Sequence, residues 1–349
     1  MRLLIAASGT GGHLFPAIAT ARQLKDSQIE WLGVPNRLET TLVPKEYPLH
    51  TIAVEGFQQR LGLGSLKIAI GLMSSILQVR RLLKEGNFQG VFTTGGYIAG
   101  PTIIAARSLG LPVILHESNV LPGKVTRWLS RLSSTVALGF EEASQYLPGR
   151  KTVYVGTPVR EEFLSVQPLD LPIPNDAPVI AIAGGSQGAV AVNQLVRDCA
   201  PFWLEAGFWI VHQTGENDPD ANSFQHPHYF PLPFYDNMAG LFQRANLVIS
   251  RAGAGTLTEL AITQTPSILI PYPYAAEKHQ DYNANVFAAK DAALVFLQDK
   301  LTAEMLKNTV FDLLKSPDKL QNMAEAAGSL AVRDSGDKLA DLVREFLSQ

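Results

Sequence analysis

Short apolar runs alternate with helical stretches along nearly the whole chain, at the spacing of strand–helix–strand units. In the first half these runs predict strands over Arg2–Ala7, Ile29–Val34, His50–Val54, Gly90–Thr94, Pro112–His116, Thr135–Leu138 and Thr152–Val155. The second half repeats the plan over Val179–Ala183, Trp209–Gln213, Tyr229–Leu232, Leu247–Ser250, Ser267–Ile270 and Ala293–Phe296. Helical periodicity fills the gaps, as in Phe15–Lys25 and Leu66–Lys84. Strands that are apolar throughout and separated by helices point to parallel sheets covered on both faces.

Past Val155-Gly156-Thr157-Pro158 the alternation lapses into a stretch holding Pro168, Pro172, Pro174 and Pro178, which reads as a semi-extended connector. The expectation is an α/β domain over residues 1–157 and a second over 158–334. A closing helix within 335–349, about Leu339–Leu347, has no strand after it and is expected to pack back on the first domain. A chain of 349 residues also exceeds what one core ordinarily serves.

Charge changes this picture more than composition does. The net charge of −3 gives no ground for nucleic acid binding. Its distribution is uneven: residues 1–157 hold 16 basic and 9 acidic side chains, net +7, and the remainder 13 and 23, net −10. A basic half suggests an anionic partner, with ordinary solvated surface as the plainer explanation. The single cysteine, Cys199, cannot form an internal disulfide, which fits a reducing compartment. Met1 and Arg2 lead straight into a strand with no secretory pattern. The uncharged run Ile68–Val79 falls short of the about 20 residues a membrane span needs.

Two glycine-rich turns carry the candidate chemistry. Leu3-Leu4-Ile5-Ala6-Ala7-Ser8 runs into Gly9-Thr10-Gly11-Gly12-His13, and Val179-Ile180-Ala181-Ile182-Ala183 runs into Gly184-Gly185-Ser186-Gln187-Gly188. Each opens a helix, so each aims backbone N–H groups and a positive helix end at an anion. A dinucleotide-dependent oxidoreductase fails on detail. Its fingerprint needs glycine where Leu14 stands and an acidic residue ending the second strand, where the chain reads Leu32-Gly33-Val34-Pro35-Asn36.

The run Gly9-Thr10-Gly11-Gly12-His13-Leu14-Phe15-Pro16-Ala17 resembles the start of the MurG family of bacterial glycosyltransferases. Further blocks follow in that family's order: Thr94-Gly95-Gly96-Tyr97 with Gly100-Pro101, His116-Glu117-Ser118-Asn119, and Gly156-Thr157-Pro158-Val159-Arg160. Then come Gly184-Gly185-Ser186-Gln187-Gly188-Ala189, Ser250-Arg251-Ala252-Gly253 leading to Glu259, and His279-Gln280 with Asn283-Ala284. Ser118 and Thr157 stand where many members carry Gln and Asn, and Gly253–Glu259 differs in detail from well-known members.

The resemblance implies two Rossmann-like parallel-sheet domains facing a cleft, the GT-B architecture. It implies an inverting transfer of N-acetylglucosamine from UDP-GlcNAc to the muramyl-pentapeptide carried on undecaprenyl diphosphate, in cell-wall synthesis. Ser186 and Gln187 would hold the UDP diphosphate, Arg160 its oxygens, and Glu259 the ribose hydroxyls. Gln280 would read the transferred sugar, with Asn283 in support; Asn119 would reach the donor from the first domain, and Tyr235 border the uracil.

Thr10, Gly11 and Gly12 would cradle the acceptor diphosphate. His13 has three readings: base toward the acceptor hydroxyl, lining of the diphosphate pocket, or a structural histidine. Glu117 is the rival base, with a buried structural role beside it. Asp218-Pro219-Asp220 mimics a metal-binding D-x-D but sits in a polar stretch that reads as an exposed loop. Neither metal nor cofactor is expected.

Leu66–Lys84 carries two apolar stripes: Leu66, Ile70, Met73 and Leu77, and Leu72, Ile76, Val79 and Leu83. One stripe should pack on the sheet. The other suits an anionic membrane surface met by Lys67, Arg80, Arg81 and Lys84, or else a second buried face. The implied place is peripheral, on the cytoplasmic side of the bacterial inner membrane. Competing readings are transfer to another lipid such as diacylglycerol, or to a small molecule; a UDP-GlcNAc epimerase, which should be richer in carboxylates; and an idle sugar-nucleotide binding module.

Overall fold

The computed structural model describes residues 1–54, 64–185 and 188–348, with 64–69 as backbone. The chain divides into two compact units, one formed by Met1–Arg160 with Val332–Gln349, the other by Glu161–Ala331. Thr157 and Arg160 therefore belong to the first unit, and the connector to the second.

The first unit opens with β1 (Arg2–Ala6), α1 (Gly11–Gln23), β2 (Gln28–Gly33), α2 (Glu39–Leu42), β3 (Leu49–Thr51) and α3 (Gly64–Glu85). It continues with β4 (Gly90–Thr93), α4 (Ala99–Ser108), β5 (Val113–Glu117), α5 (Lys124–Leu129), β6 (Thr135–Leu138) and β7 (Thr152–Tyr154). Among the described residues its seven strands are all parallel, in the order β3-β2-β1-β4-β5-β6-β7.

The second unit holds β8 (Val179–Ala183), α6 (Val190–Glu205), β9 (Trp209–Gln213), β10 (Tyr229–Leu232), α7 (Met238–Arg244) and β11 (Leu247–Ser250). It ends with α8 (Ala254–Thr263), β12 (Ser267–Leu269), α9 (His279–Ala288), β13 (Ala293–Val295), α10 (Ala303–Leu314) and α11 (Pro317–Ser329). The six strands among its described residues are parallel too, in the order β10-β9-β8-β11-β12-β13. The fold is thus two parallel-sheet α/β domains, as the apolar pattern predicts.

The period of two in β1 explains why that strand is apolar throughout. Leu3 and Ile5 point into a core shared with α1 and α12 (Ser335–Leu347), while Leu4 and Ala6 point into the opposite core with Val79, Leu83 and Ile103. The α12 side chains Leu339, Ala340, Val343 and Phe346 lie in the first of these cores, so the last helix closes the first sheet. The corresponding core of the second unit joins Ile180, Ile182 and Ile249 to Val196, Trp203 and Val310.

On α3 the two stripes separate cleanly. Val79 and Leu83 are buried and Ile76 packs beside them, whereas Ile70, Met73 and Leu77 are 61%, 57% and 58% exposed. The side chains of Leu66 and Lys67 lie outside the described residues. Among the described residues no helix is long and apolar enough to cross a membrane.

Candidate active site

In both sheets the chain reverses direction across the sheet at one point, between β1 and β4 in the first and between β8 and β11 in the second. Ligands of open parallel sheets collect at the carboxyl ends of such neighbouring strands. The glycine turns leave β1 and β8, so both lie there.

In the first unit Thr10 is the N-cap of α1, and Gly11, Gly12 and His13 make its first turn, whose leading N–H groups have no carbonyl within the helix. His13 Nδ1 lies 2.8 Å from the Thr94 carbonyl oxygen, just past the end of β4. A carbonyl only accepts, so Nδ1 carries the proton and donates it; in the neutral ring Nε2 is then the basic nitrogen. The Thr94 hydroxyl returns a bond to the His13 carbonyl at 3.0 Å. Gly96 follows with φ +75°, and a Cβ there would stand 3.7 Å from His13 Nε2. Glycine keeps that face of the imidazole open. The sequence contained the Thr94-Gly95-Gly96 block but no sign that it orients the histidine.

Glu117, at the end of β5, is buried and surrounded by donors. Its Oε1 accepts from the Asn119 backbone N–H (3.0 Å) and side-chain amide (3.2 Å), and its Oε2 from the Gly123 N–H (3.0 Å) and the Thr126 hydroxyl (2.7 Å). Four donors hold this carboxylate as the organiser of the loop from Asn119 to α5. His116 beside it is fully buried, and desolvation lowers its pKa although its bond to Gly156 opposes this. Neutral His116 donates through Nε2 to the Gly156 carbonyl at 3.0 Å, which ties β5 to the segment leading to Arg160. The Arg160 guanidinium lies 4.7 Å from the centre of the Phe15 ring of α1.

In the second unit Ser186 and Gln187 lie outside the described residues. The flanking glycines are closely fitted: Gly185 and Gly188 have φ of +82° and +77°, and a Cβ on Gly188 would collide with the Thr214 carbonyl. Beneath it runs a buried polar chain that the sequence did not reveal. Asn193, near the start of α6, donates to the Thr214 carbonyl (2.7 Å) and to Asp218 Oδ2 (2.6 Å). Arg197 one turn on donates to the same carboxylate at 2.8 Å, with both side chains almost wholly buried.

Asp218 is therefore not in an exposed loop, as the polar run around it suggested. Burial raises its pKa, but its bonds to Arg197 and Asn193 outweigh that and leave it lowered. His212 completes the chain. Its Nε2 is 3.0 Å from Asn193 Oδ1 and its Nδ1 2.8 Å from the Tyr229 hydroxyl, and burial first of all pushes its pKa down to about 3. The neutral ring donates to Asn193 and accepts from Tyr229.

At the ends of β11 and β12, two side chains of α9 clasp one residue. Gln280 Oε1 accepts from the Ala252 and Tyr272 N–H groups at 3.3 and 2.9 Å, and Asn283 Nδ2 donates to the Ala252 carbonyl at 3.2 Å. The Gln280 amide is thereby oriented with its NH2 away from those backbone amides. Ala252 precedes Gly253, the N-cap of α8, which carries half-buried Glu259. Arg251 donates to the Ile270 and Pro271 carbonyls and to Gln298, at 3.0, 3.2 and 2.7 Å. Burial lowers its pKa to about 10, so it keeps its charge at neutral pH. Tyr235 donates its hydroxyl to Asp170, which anchors the connector.

Two open parallel sheets, each left by a glycine-rich stretch at its switch point, give the two-domain GT-B architecture. Residues 3–138 match the glycosyltransferase family 28 N-terminal domain and residues 179–339 its C-terminal domain. The chain belongs to glycosyltransferase family 28, and within it to the MurG family whose motifs it carries. It is 70% identical over 348 residues, 100% of this chain and 93% of the relative, to the UDP-N-acetylglucosamine–N-acetylmuramyl-(pentapeptide) pyrophosphoryl-undecaprenol N-acetylglucosamine transferase of Trichodesmium erythraeum. The crystal structure of Acinetobacter baumannii MurG superposes with a TM-score of 0.80 at 30% identity, covering 99% of each chain. A putative UDP-N-acetylglucosamine 2-epimerase from Listeria monocytogenes has a TM-score of 0.72 at 12% identity over 99% of this chain and 96% of its own, a likeness of fold alone.

Proposed function

We infer that this chain transfers N-acetylglucosamine from UDP-GlcNAc to the muramyl-pentapeptide of the undecaprenyl-diphosphate-linked peptidoglycan precursor. The observation that carries this reading is full-length identity of 70% with a relative whose name states that transfer. The fold alone would serve an epimerase equally well.

The second unit takes the donor and the first the acceptor. UDP lies with its diphosphate on the turn Gly184–Gly188 and the start of α6, where Ser186 and Gln187 supply donors. Arg160 adds a permanent charge, Glu259 accepts from the ribose hydroxyls, and the NH2 of Gln280 donates to the transferred sugar. Thr10, Gly11 and Gly12 receive the acceptor diphosphate at the N-terminus of α1, and Asn119 borders the reaction from the loop organised by Glu117. With Nδ1 bonded to the Thr94 carbonyl, His13 Nε2 is left to serve as the base in this scheme. It takes the acceptor hydroxyl proton as that oxygen bonds to C1 of the sugar. The bond from C1 to the UDP oxygen breaks, its electron pair leaves with the diphosphate, and the anomeric centre inverts. N–H groups aimed at the departing diphosphate need no reorganisation as its charge develops. Glu117 is a positioning residue in this scheme.

The exposed stripe Ile70, Met73 and Leu77 on the basic unit rests on the anionic inner surface of the plasma membrane, where the lipid acceptor resides. Changing all three to serine should abolish most vesicle binding and spare transfer to a short-chain, soluble acceptor analogue. The function itself is tested with radiolabelled UDP-GlcNAc and the purified lipid-linked muramyl-pentapeptide in detergent. Label is expected in the lipid fraction; none there, or label recovered as an epimer of UDP-GlcNAc, would overturn the reading.

A further inference from the structure

Glu39 is the first residue of the short helix α2, yet its carboxylate is fully buried beneath the first glycine turn. Its Oε1 accepts from the Ser8 hydroxyl at 2.5 Å and from the Val34 N–H at 2.6 Å, and its Oε2 accepts from the Gly9 N–H at 3.3 Å. These donors come from the entry to the turn and from the chain just beyond β2, and none carries a charge. Room for the side chain is made by Gly33, where a Cβ would stand 2.6 Å from Glu39 Cγ.

A buried carboxylate is costly unless its hydrogen bonds are satisfied. Here it also sets a negative charge beneath a turn whose N–H groups face an anion. Electrostatic attraction for that anion therefore cannot be what the carboxylate supplies. What it supplies is geometry: acceptors on two oxygens that draw Ser8, Gly9 and Val34 to one point. Gly9 has φ +106°, a conformation that an external clamp selects from glycine's wide range. Gly11, Gly12 and His13 follow directly.

We propose that Glu39 is a positioning residue for acceptor binding: it holds the entry of the Gly9–His13 turn so that the N–H groups of α1 and the His13 ring meet the acceptor diphosphate sugar. This rests on the assignment of that turn to the acceptor. An amide cannot replace the carboxylate, because either orientation sets an NH2 against an N–H or O–H donor.

The test is steady-state kinetics of Glu39→Gln and Ser8→Ala, each substrate varied in turn, with amide hydrogen exchange of Gly9 to His13. In Glu39→Gln the KM for the lipid acceptor should rise about tenfold, the size of one lost charge-assisted hydrogen bond. The KM for UDP-GlcNAc should stay within about twofold, and exchange across the turn should accelerate. Ser8→Ala keeps the carboxylate and should show the same split, about threefold, which decides the matter if Glu39→Gln does not fold. Unchanged acceptor KM in both variants, or equal rises for both substrates, would overturn the proposal. His13→Ala in the same assays separates the two levels: if it too leaves acceptor kinetics intact, the assignment of the turn is wrong; if it alone impairs them, Glu39 is.

Discussion

The two glycine turns have nearly the same local plan, an apolar strand running through glycines into a helix, but they are braced in opposite ways. Under the first lies a buried carboxylate satisfied by neutral donors, with the turn ending in an oriented histidine. Under the second lies an ion pair, Arg197–Asp218, extended through Asn193 to His212 and Tyr229. The first therefore ends in a group that can take a proton, while the histidine near the second is held neutral and internal. That difference matches the proposed transfer between two diphosphate-bearing substrates, in which one site moves a proton and the other holds charge.

The largest expected effect comes from deleting the proposed proton acceptor. His13→Ala should lower kcat about 10²- to 10⁴-fold, the usual range for a general base, with transfer measured at saturating substrates. A loss below about fivefold would leave His13 as pocket lining. Next is the second brace. Asp218→Ala strands a buried guanidinium and should cost about 3–5 kcal/mol, read as a shift in the urea midpoint. The pH dependence follows from the same pair. Because Asp218 titrates below its ordinary 3.8, its contribution is fully present above that value and fades as acid carries the pH down through the folded-state pKa. Asp218→Asn should therefore flatten the acid limb of the stability curve. Smaller still is Gln280→Ala, expected to raise the UDP-GlcNAc KM about fivefold through one lost hydrogen bond while leaving the acceptor KM unchanged. Arg251→Lys keeps the charge but not the fork that reaches two carbonyls and Gln298. A rise of about two- to fivefold in the same KM is expected.

The fold was legible because both sheets are parallel and buried on both faces, so each strand announces itself as an apolar run. The predicted strands over residues 135–138, 179–183, 209–213, 229–232 and 247–250 coincide with the observed ones. Elsewhere the ends drifted by one to three residues; Glu117, for one, belongs to β5, and its carboxylate accepts from four donors. The braces stayed hidden. Nothing in the sequence around Glu39 marks it for burial, and Asp218 sits among Asn, Pro and Glu as loop residues do. Only the tertiary neighbours of each show that its charge faces inward. The exclusion of a carboxylate at the end of the second strand was correct for the strand itself, yet Glu39 reaches back to that place from five residues on, bonding the Val34 N–H. The unpaired stripe of α3 was visible as a period; which stripe stays exposed was not.

The division of labour between the turns is tested most directly by calorimetric titration of UDP into wild type, His13→Ala and Gln280→Ala, beside transfer rates for the same preparations. UDP should bind His13→Ala with unchanged Kd although transfer has fallen at least about a hundredfold. Loss of UDP affinity in His13→Ala, or transfer near the wild-type rate, would contradict the assignment of the proton to the first turn and the nucleotide to the second.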